Sequence, residues 1–209
     1  MPLDPTPLVA QTPVIPVLTV ERAADAVPLA RALAAGRLRV IEVTLRTKAA
    51  LDAIRAIAGE VPDCVVGAGT LTKPADVAAA LDAGAKYLVS PGTPVNLAAE
   101  LADAPVPALP GCATVSEAMT LSARGFRVLK FFPAEASGGT AWLKSVAAPL
   151  PEAKFCPTGG IDGKNLASYL GCPNVLAVGG SWVAPKDAIA SGDWARITSL
   201  AAAAAAARG

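Results

Sequence analysis

The sequence predicts an α/β fold in which short parallel strands alternate with helices around one core. Three observations carry this expectation. Short apolar runs rich in Val, Ile and Leu recur along the chain, as in strands covered on both faces. Each run is followed by a segment with helical spacing. Gly36, Gly59, Gly84, Gly125 and Gly171 then close most of those segments.

Taken in order, Val14 to Leu18 reads as the first strand, and Glu21 to Ala35 as a helix stopped by Gly36. Leu38 to Thr44 is β-branched and strand-like. Lys48 to Ala58 is helical, with Leu51, Ile54 and Ala58 on one side and Gly59 as the stop. A strand at Cys64 to Gly67 precedes a helix at Ala75 to Ala83. Tyr87 to Ser90 and Val106 to Leu109 are strands, followed by helices at Val95 to Leu101 and Val115 to Ala123. Val128 to Phe132 is a strand and Thr140 to Val146 a helix. Lys154 to Cys156 and Val175 to Val178 are the last strands, each followed by helix: Gly163 to Leu170, then Lys186 to Ala190 and Trp194 to Ala207.

About eight βα units without a break fit a closed (β/α)₈ TIM barrel at its smallest size. The alternative is an open doubly wound sheet, which usually opens with a GxGxxG turn after its first strand. None stands there. The 209 residues suit one domain, 1–209, with one sizeable core. The segment before Val14 would form a short N-terminal cap under the barrel.

Hydrophobic residues make up 53% of the chain and aromatics 4%, so Ala, Val, Leu and Ile must do most of the packing. A net charge of +1 gives no reason to expect nucleic acid or an anionic membrane as partner. No apolar run approaches the ~20 residues of a membrane span without charge or proline. Met1 to Pro13, with Asp4 and several prolines, is unlike a signal peptide. Cys64, Cys112, Cys156 and Cys172 form no CxxC pair and read as reduced thiols of a cytoplasmic protein. The chain has no histidine, which removes His-dependent nucleophiles and His-ligated metal sites.

Barrel sites lie where strands end. Lys130 sits in the middle of the apolar run Val128 to Phe132. A buried lysine is costly unless paired or neutral, and a neutral one is a nucleophile for carbonyls, giving a Schiff base. A lysine on an edge strand, facing water, would look the same locally. Glu42 is the one acidic residue inside a predicted strand, and alternation puts it on one face with Thr44 and Arg46. It can move protons for Lys130, or serve as a structural partner of Arg46 or Lys130. The same alternation groups Val66, Ala68 and Thr70, and Cys156 with Thr158, toward that interior. Glu135, past its strand end, is a weaker acid–base candidate. Arg46 has the fork geometry for a carboxylate, and Thr70 could add a hydroxyl. Gly159-Gly160 and Gly179-Gly180-Ser181 follow the last two strands, where barrels often bind phosphate. Lys48, Lys73, Lys86, Lys144, Lys164 and Lys186 fall in helices, turns or strand starts, and Lys154 begins a strand, so none competes for the imine.

Five stretches carry a family resemblance over nearly the whole chain. They are Ile41 to Thr47, Val66 to Thr70, Lys130 to Glu135, Phe155 to Ile161, and Gly179 to Trp182. Together they resemble the 2-keto-3-deoxy-6-phosphogluconate (KDPG) and 4-hydroxy-2-oxoglutarate aldolases, class I enzymes acting through a Schiff base. The resemblance implies KDPG cleavage to pyruvate and glyceraldehyde 3-phosphate, as in the Entner–Doudoroff pathway. Lys130 would form the imine and Glu42 would be the general acid/base. Arg46 and Thr70 would hold the substrate carboxylate, and Gly159, Gly160 and Ser181 the phosphate. Phe132 and Pro91 would be pocket walls, and Thr158 would favour the gluconate over the galactonate epimer. The family implies a homotrimer without cofactor or metal. Two rivals stay open: the same site acting mainly on 4-hydroxy-2-oxoglutarate or the galactonate epimer, and a barrel that binds a phosphorylated ligand without catalysis.

Overall fold

The computed structural model describes residues 1–208. It opens on a short helix α1 (Thr6–Val9), then β1 (Val14–Leu18), α2 (Ala26–Ala35), β2 (Val40–Thr44) and α3 (Ala50–Glu60). Next come β3 (Val65–Gly69), α4 (Pro74–Asp82), β4 (Leu88–Val89), α5 (Val95–Asp103), β5 (Ala108–Leu109) and β6 (Gly111–Cys112). They are followed by α6 (Val115–Ala123), β7 (Val128–Phe131), α7 (Gly139–Ala147) and β8 (Lys154–Pro157). The chain closes with α8 (Leu166–Leu170), β9 (Val178–Gly180), α9 (Lys186–Ser191) and α10 (Trp194–Ala205). The expected alternation of strand and helix is therefore present.

All strand pairings are parallel. Six strands run in the order β5-β4-β3-β2-β1-β9 and three in the order β6-β7-β8. Isolated parallel bridges Phe155↔Val175 and Thr158↔Gly179 link the β8 segment to the β9 segment. Because every pairing is parallel, the C-terminal ends of the strands lie on one side, and the connecting helices cover the sheets. The larger buried cluster joins strand residues such as Ile41, Val43, Val66 and Ala68 to helical Leu29, Leu33, Ile54 and Ile57. A smaller cluster of Val9, Ile15, Val40, Tyr87, Leu109, Val128, Cys156 and Ala177 fills the other face of the strands. Val9 of α1 is fully buried in it, beside the starts of β2 and β7.

Several boundaries differ from expectation for local reasons. The helix expected from Glu21 begins as α-helix only at Ala26, after a 3₁₀ turn at Ala23–Asp25. Pro28 clashes with the carbonyl four residues back, so it is tolerated only in a first turn. Gly59 does not stop α3, which runs on to Glu60. The strand expected at 106–109 is reduced to β5, and Pro110, which has no N–H to give a ladder, separates it from β6, a strand not expected. Its carbonyl still accepts from the Lys130 amide at 3.0 Å. The last strand is β9, not Val175 to Val178; Val175 contributes one bridge only. Among the described residues no helix is long and apolar enough to cross a membrane.

Candidate active site

Lys130 and Glu42, 88 positions apart in sequence, meet inside the sheet. Lys130 Nζ lies 3.1 Å from Oε1 and 3.4 Å from Oε2 of Glu42. Both side chains are nearly sealed from water, 5% and 4% exposed. The strands set this geometry. Lys130 stands in register with Gly111 and Cys156, and Glu42 with Val17 and Gly67. Room for the carboxylate comes from Gly69, where a methyl group would overlap Glu42. The edge-strand alternative for Lys130 is thereby excluded: β7 is central in its sheet and the amine is buried.

A cavity of about 900 Å³ opens at the C-terminal ends of the strands. Arg46, Phe132, Thr158, Gly159, Gly160 and Ser181 all line it. The Lys130 ammonium sits 5.6 Å from the centroid of Phe132, whose ring forms part of that wall. Lys48 and Lys186, set aside as imine formers, also face the cavity, together with Glu21. Sequence reasoning missed this because their loops and helices read only as surface. Glu135 is occupied elsewhere: its carboxylate accepts a short hydrogen bond from the Tyr169 hydroxyl. Gly159 and Gly160 have φ of 103° and 77°, the left-handed region where a side chain is strained. Four expected residues are not part of the cavity lining: the buried pair Lys130 and Glu42, and Thr70 and Pro91. Thr70 follows β3 and Pro91 follows β4, each half-buried.

Burial pushes the Cys112 and Cys156 thiols up to about 12, with Lys130 partly opposing it at Cys156, and pushes Cys64 to about 11. Cys172 is raised as well, mainly by burial. These thiols stay protonated at neutral pH and offer no thiolate to compete with the amine.

A family model described as KDPG and KHG aldolase matches residues 7–200. The chain belongs to the KDPG and KHG aldolase family. A 2-dehydro-3-deoxy-phosphogluconate aldolase of Dickeya dadantii (strain 3937) is 50% identical over 189 residues, covering 90% of this chain and 89% of its own. The KHG/KDPG aldolase of Escherichia coli (strain K12) is 49% identical with the same coverage. A crystal structure of KDPG aldolase from Legionella pneumophila, with pyruvate captured as a covalent carbinolamine intermediate, superposes with a TM-score of 0.95 at 43% identity. The match covers 97% of this chain and 98% of that one.

One sequence expectation about this aldolase's interior is overturned. Val66 and Ala68 pack in the outer cluster against helices, not toward Glu42. Gly67 and Gly69 face inward instead, against Tyr87 and Glu42. Thr70 then turns with φ of 63°, uncommon for a β-branched residue, and breaks the strand alternation. Such strain persists only where its surroundings impose it, and it clusters at functional sites. Gly69→Ala must displace the Glu42 carboxylate. We expect it to lower aldolase kcat by roughly 10²-fold, the cost of misplacing a reacting group by about 1 Å. Steady-state kinetics on the folded variant checks this.

Proposed function

We propose that this protein is a class I aldolase that cleaves KDPG to pyruvate and glyceraldehyde 3-phosphate. The observation that carries the reading is the buried Lys130 amine 3.1 Å from the Glu42 carboxylate, beside a cavity with an arginine on its wall and a Gly-Gly-Ser set around it. Lys130 passes a proton to Glu42 and its neutral amine attacks the C2 ketone. Glu42 returns that proton to the carbinolamine hydroxyl, so water leaves, the protonated imine forms as an electron sink, and the carboxylate is regenerated. Glu42, directly or through water, takes the C4 hydroxyl proton; the C3–C4 bond breaks and its electrons enter the imine. Glyceraldehyde 3-phosphate leaves. The enamine takes a proton at C3, and hydrolysis frees pyruvate and Lys130.

In this reading Arg46 pairs with the substrate carboxylate and Thr70 supplies a hydroxyl to it. Gly159, Gly160 and Ser181 receive the phosphate at the mouth. Phe132 and Pro91 act as walls, and Thr158 sets the C4 preference. The strands close as a (β/α)₈ barrel in one domain, 1–209, with α1 as its bottom cap. The bridges between β8 and β9, and the Pro110 segment pairing on both sides, support that closure. We further assign a homotrimer in the cytoplasm, working without a metal or cofactor.

The test is intact mass and peptide mapping after incubation with pyruvate and borohydride. A reduced pyruvyl adduct on Lys130 is expected. Folded protein that gains no adduct would remove the imine mechanism. A second reading, preference for 4-hydroxy-2-oxoglutarate, is favoured by the KHG/KDPG name of the Escherichia coli relative. Comparing kcat/KM for KDPG, its galactonate epimer and 4-hydroxy-2-oxoglutarate decides between them.

A further inference from the structure

Tyr87 stands one residue before β4, and its side chain is fully buried in the smaller cluster with Val40, Val128 and Cys156. Its hydroxyl has no hydrogen-bond partner among the described residues. A buried orphan hydroxyl is unfavourable where a benzyl ring would fill the same space, so its retention calls for a reason.

Two glycines of β3 show where the hydroxyl points. A methyl group on Gly67 would overlap the Cε1–Cζ edge of the Tyr87 ring, the end that carries the oxygen. A methyl group on Gly69 would overlap Oε1 of Glu42. Gly67 and Gly69 are two apart on one strand, so they share a face and are separated by roughly 6.6 Å. The phenol and the carboxylate therefore occupy consecutive interior places along β3. One bridging water, with two hydrogen bonds of about 2.8 Å each, spans at most about 5.6 Å, so side chains over these two places need to lean together by only about 1 Å for a single water to join them. Burial first, and then the charges of Glu42 and Cys156, push the Tyr87 phenol well above its usual range. The group therefore remains a donor over the working pH range.

We propose that Tyr87 is a positioning residue for Glu42, its hydroxyl donating through one buried water to the carboxylate that serves Lys130. The inference rests on the reading of Glu42 as the proton carrier. The titratable groups gathered at the carboxylate are Lys130 from β7, Cys156 from β8 and Tyr87 from the start of β4, while β3 opposes it with glycine. A carboxylate that loses a donor is protonated more easily. Its loss therefore moves the acid limb of the kcat profile toward higher pH.

The experiment is Tyr87→Phe with full pH–rate profiles. We expect kcat to fall about ten-fold, KM for KDPG to stay within about two-fold of wild type, and the acid limb to move up. The melting temperature should not fall, since an orphan hydroxyl is removed. A profile that matches wild type in kcat and limb position overturns the proposal. A second measurement needs no variant of Tyr87. The chain holds 2 tyrosines, so 3-fluorotyrosine labelling gives two ¹⁹F signals, assigned with Tyr169→Phe. The Tyr87 signal should shift with the midpoint of the acid limb and lie flat in Glu42→Gln. A flat wild-type signal overturns the water bridge. If Glu42→Gln keeps full turnover, the proton-carrier reading fails as well. If it loses turnover while Tyr87→Phe is indistinguishable from wild type, the positioning role alone fails.

Discussion

Lys130→Met is expected to abolish turnover, a loss of about 10⁴-fold or more, on the scale seen when an enzyme loses its nucleophile. Methionine keeps the length and the apolar stem but cannot form an imine. No other amine can stand in: Lys154 is at the start of β8, the opposite end from the cavity. Lys144 is on α7, and Lys48 and Lys186 reach only the cavity wall, not the buried pair. The four thiols are buried and held protonated. The variant also tests the pair as a structural element. Removing one partner leaves the buried Glu42 carboxylate uncompensated, which costs about 3–5 kcal/mol. Denaturant melts read that cost, and KDPG cleavage reads the chemistry. Appreciable cleavage by a folded variant would end the assignment of Lys130.

Glu42→Gln is expected to lower kcat by about 10²–10⁴-fold, the range for removal of a general acid–base group. Glutamine has nearly the same shape and its carbonyl oxygen can still accept from Nζ. It cannot take a proton from the lysine or from the C4 hydroxyl. The borohydride adduct on Lys130 should still form, but slowly, which separates loss of proton transfer from loss of the nucleophile. Here the uncompensated charge is the Lys130 ammonium. Denaturant melts should show this variant destabilised as well, as expected when one partner of a buried pair is removed. A variant as stable as wild type would mean that the 3.1 Å pair does not act as a structural unit.

Much of this aldolase is legible along the chain because its signals are local. The alternation of apolar runs with helical spacing, ended by glycine, is written over windows of ten residues. Lys130 inside an apolar run and Glu42 inside a β-branched one are visible for the same reason: a charge among such neighbours must be paired or at work. The glycines after β8 and in β9 can be read as an anion cradle from position alone.

Tertiary structure alone decided the rest. Nothing local says that Glu42 and Lys130 meet, because their partnership is set by strand order across 88 positions. Nor could periodicity choose the inner face of β3. Parallel strands are covered on both sides, so Val66 and Ala68 look no less interior than Gly67 and Gly69. The choice is made by volume, since only glycine leaves space for the Tyr87 ring and the Glu42 carboxylate. Thr70 departs from the alternation because its φ is positive, and backbone handedness leaves no mark in a hydropathy pattern. Tyr87 shows the division most clearly: as sequence it is one aromatic at a strand start, while its packing buries a hydroxyl that has no hydrogen-bond partner among the described residues.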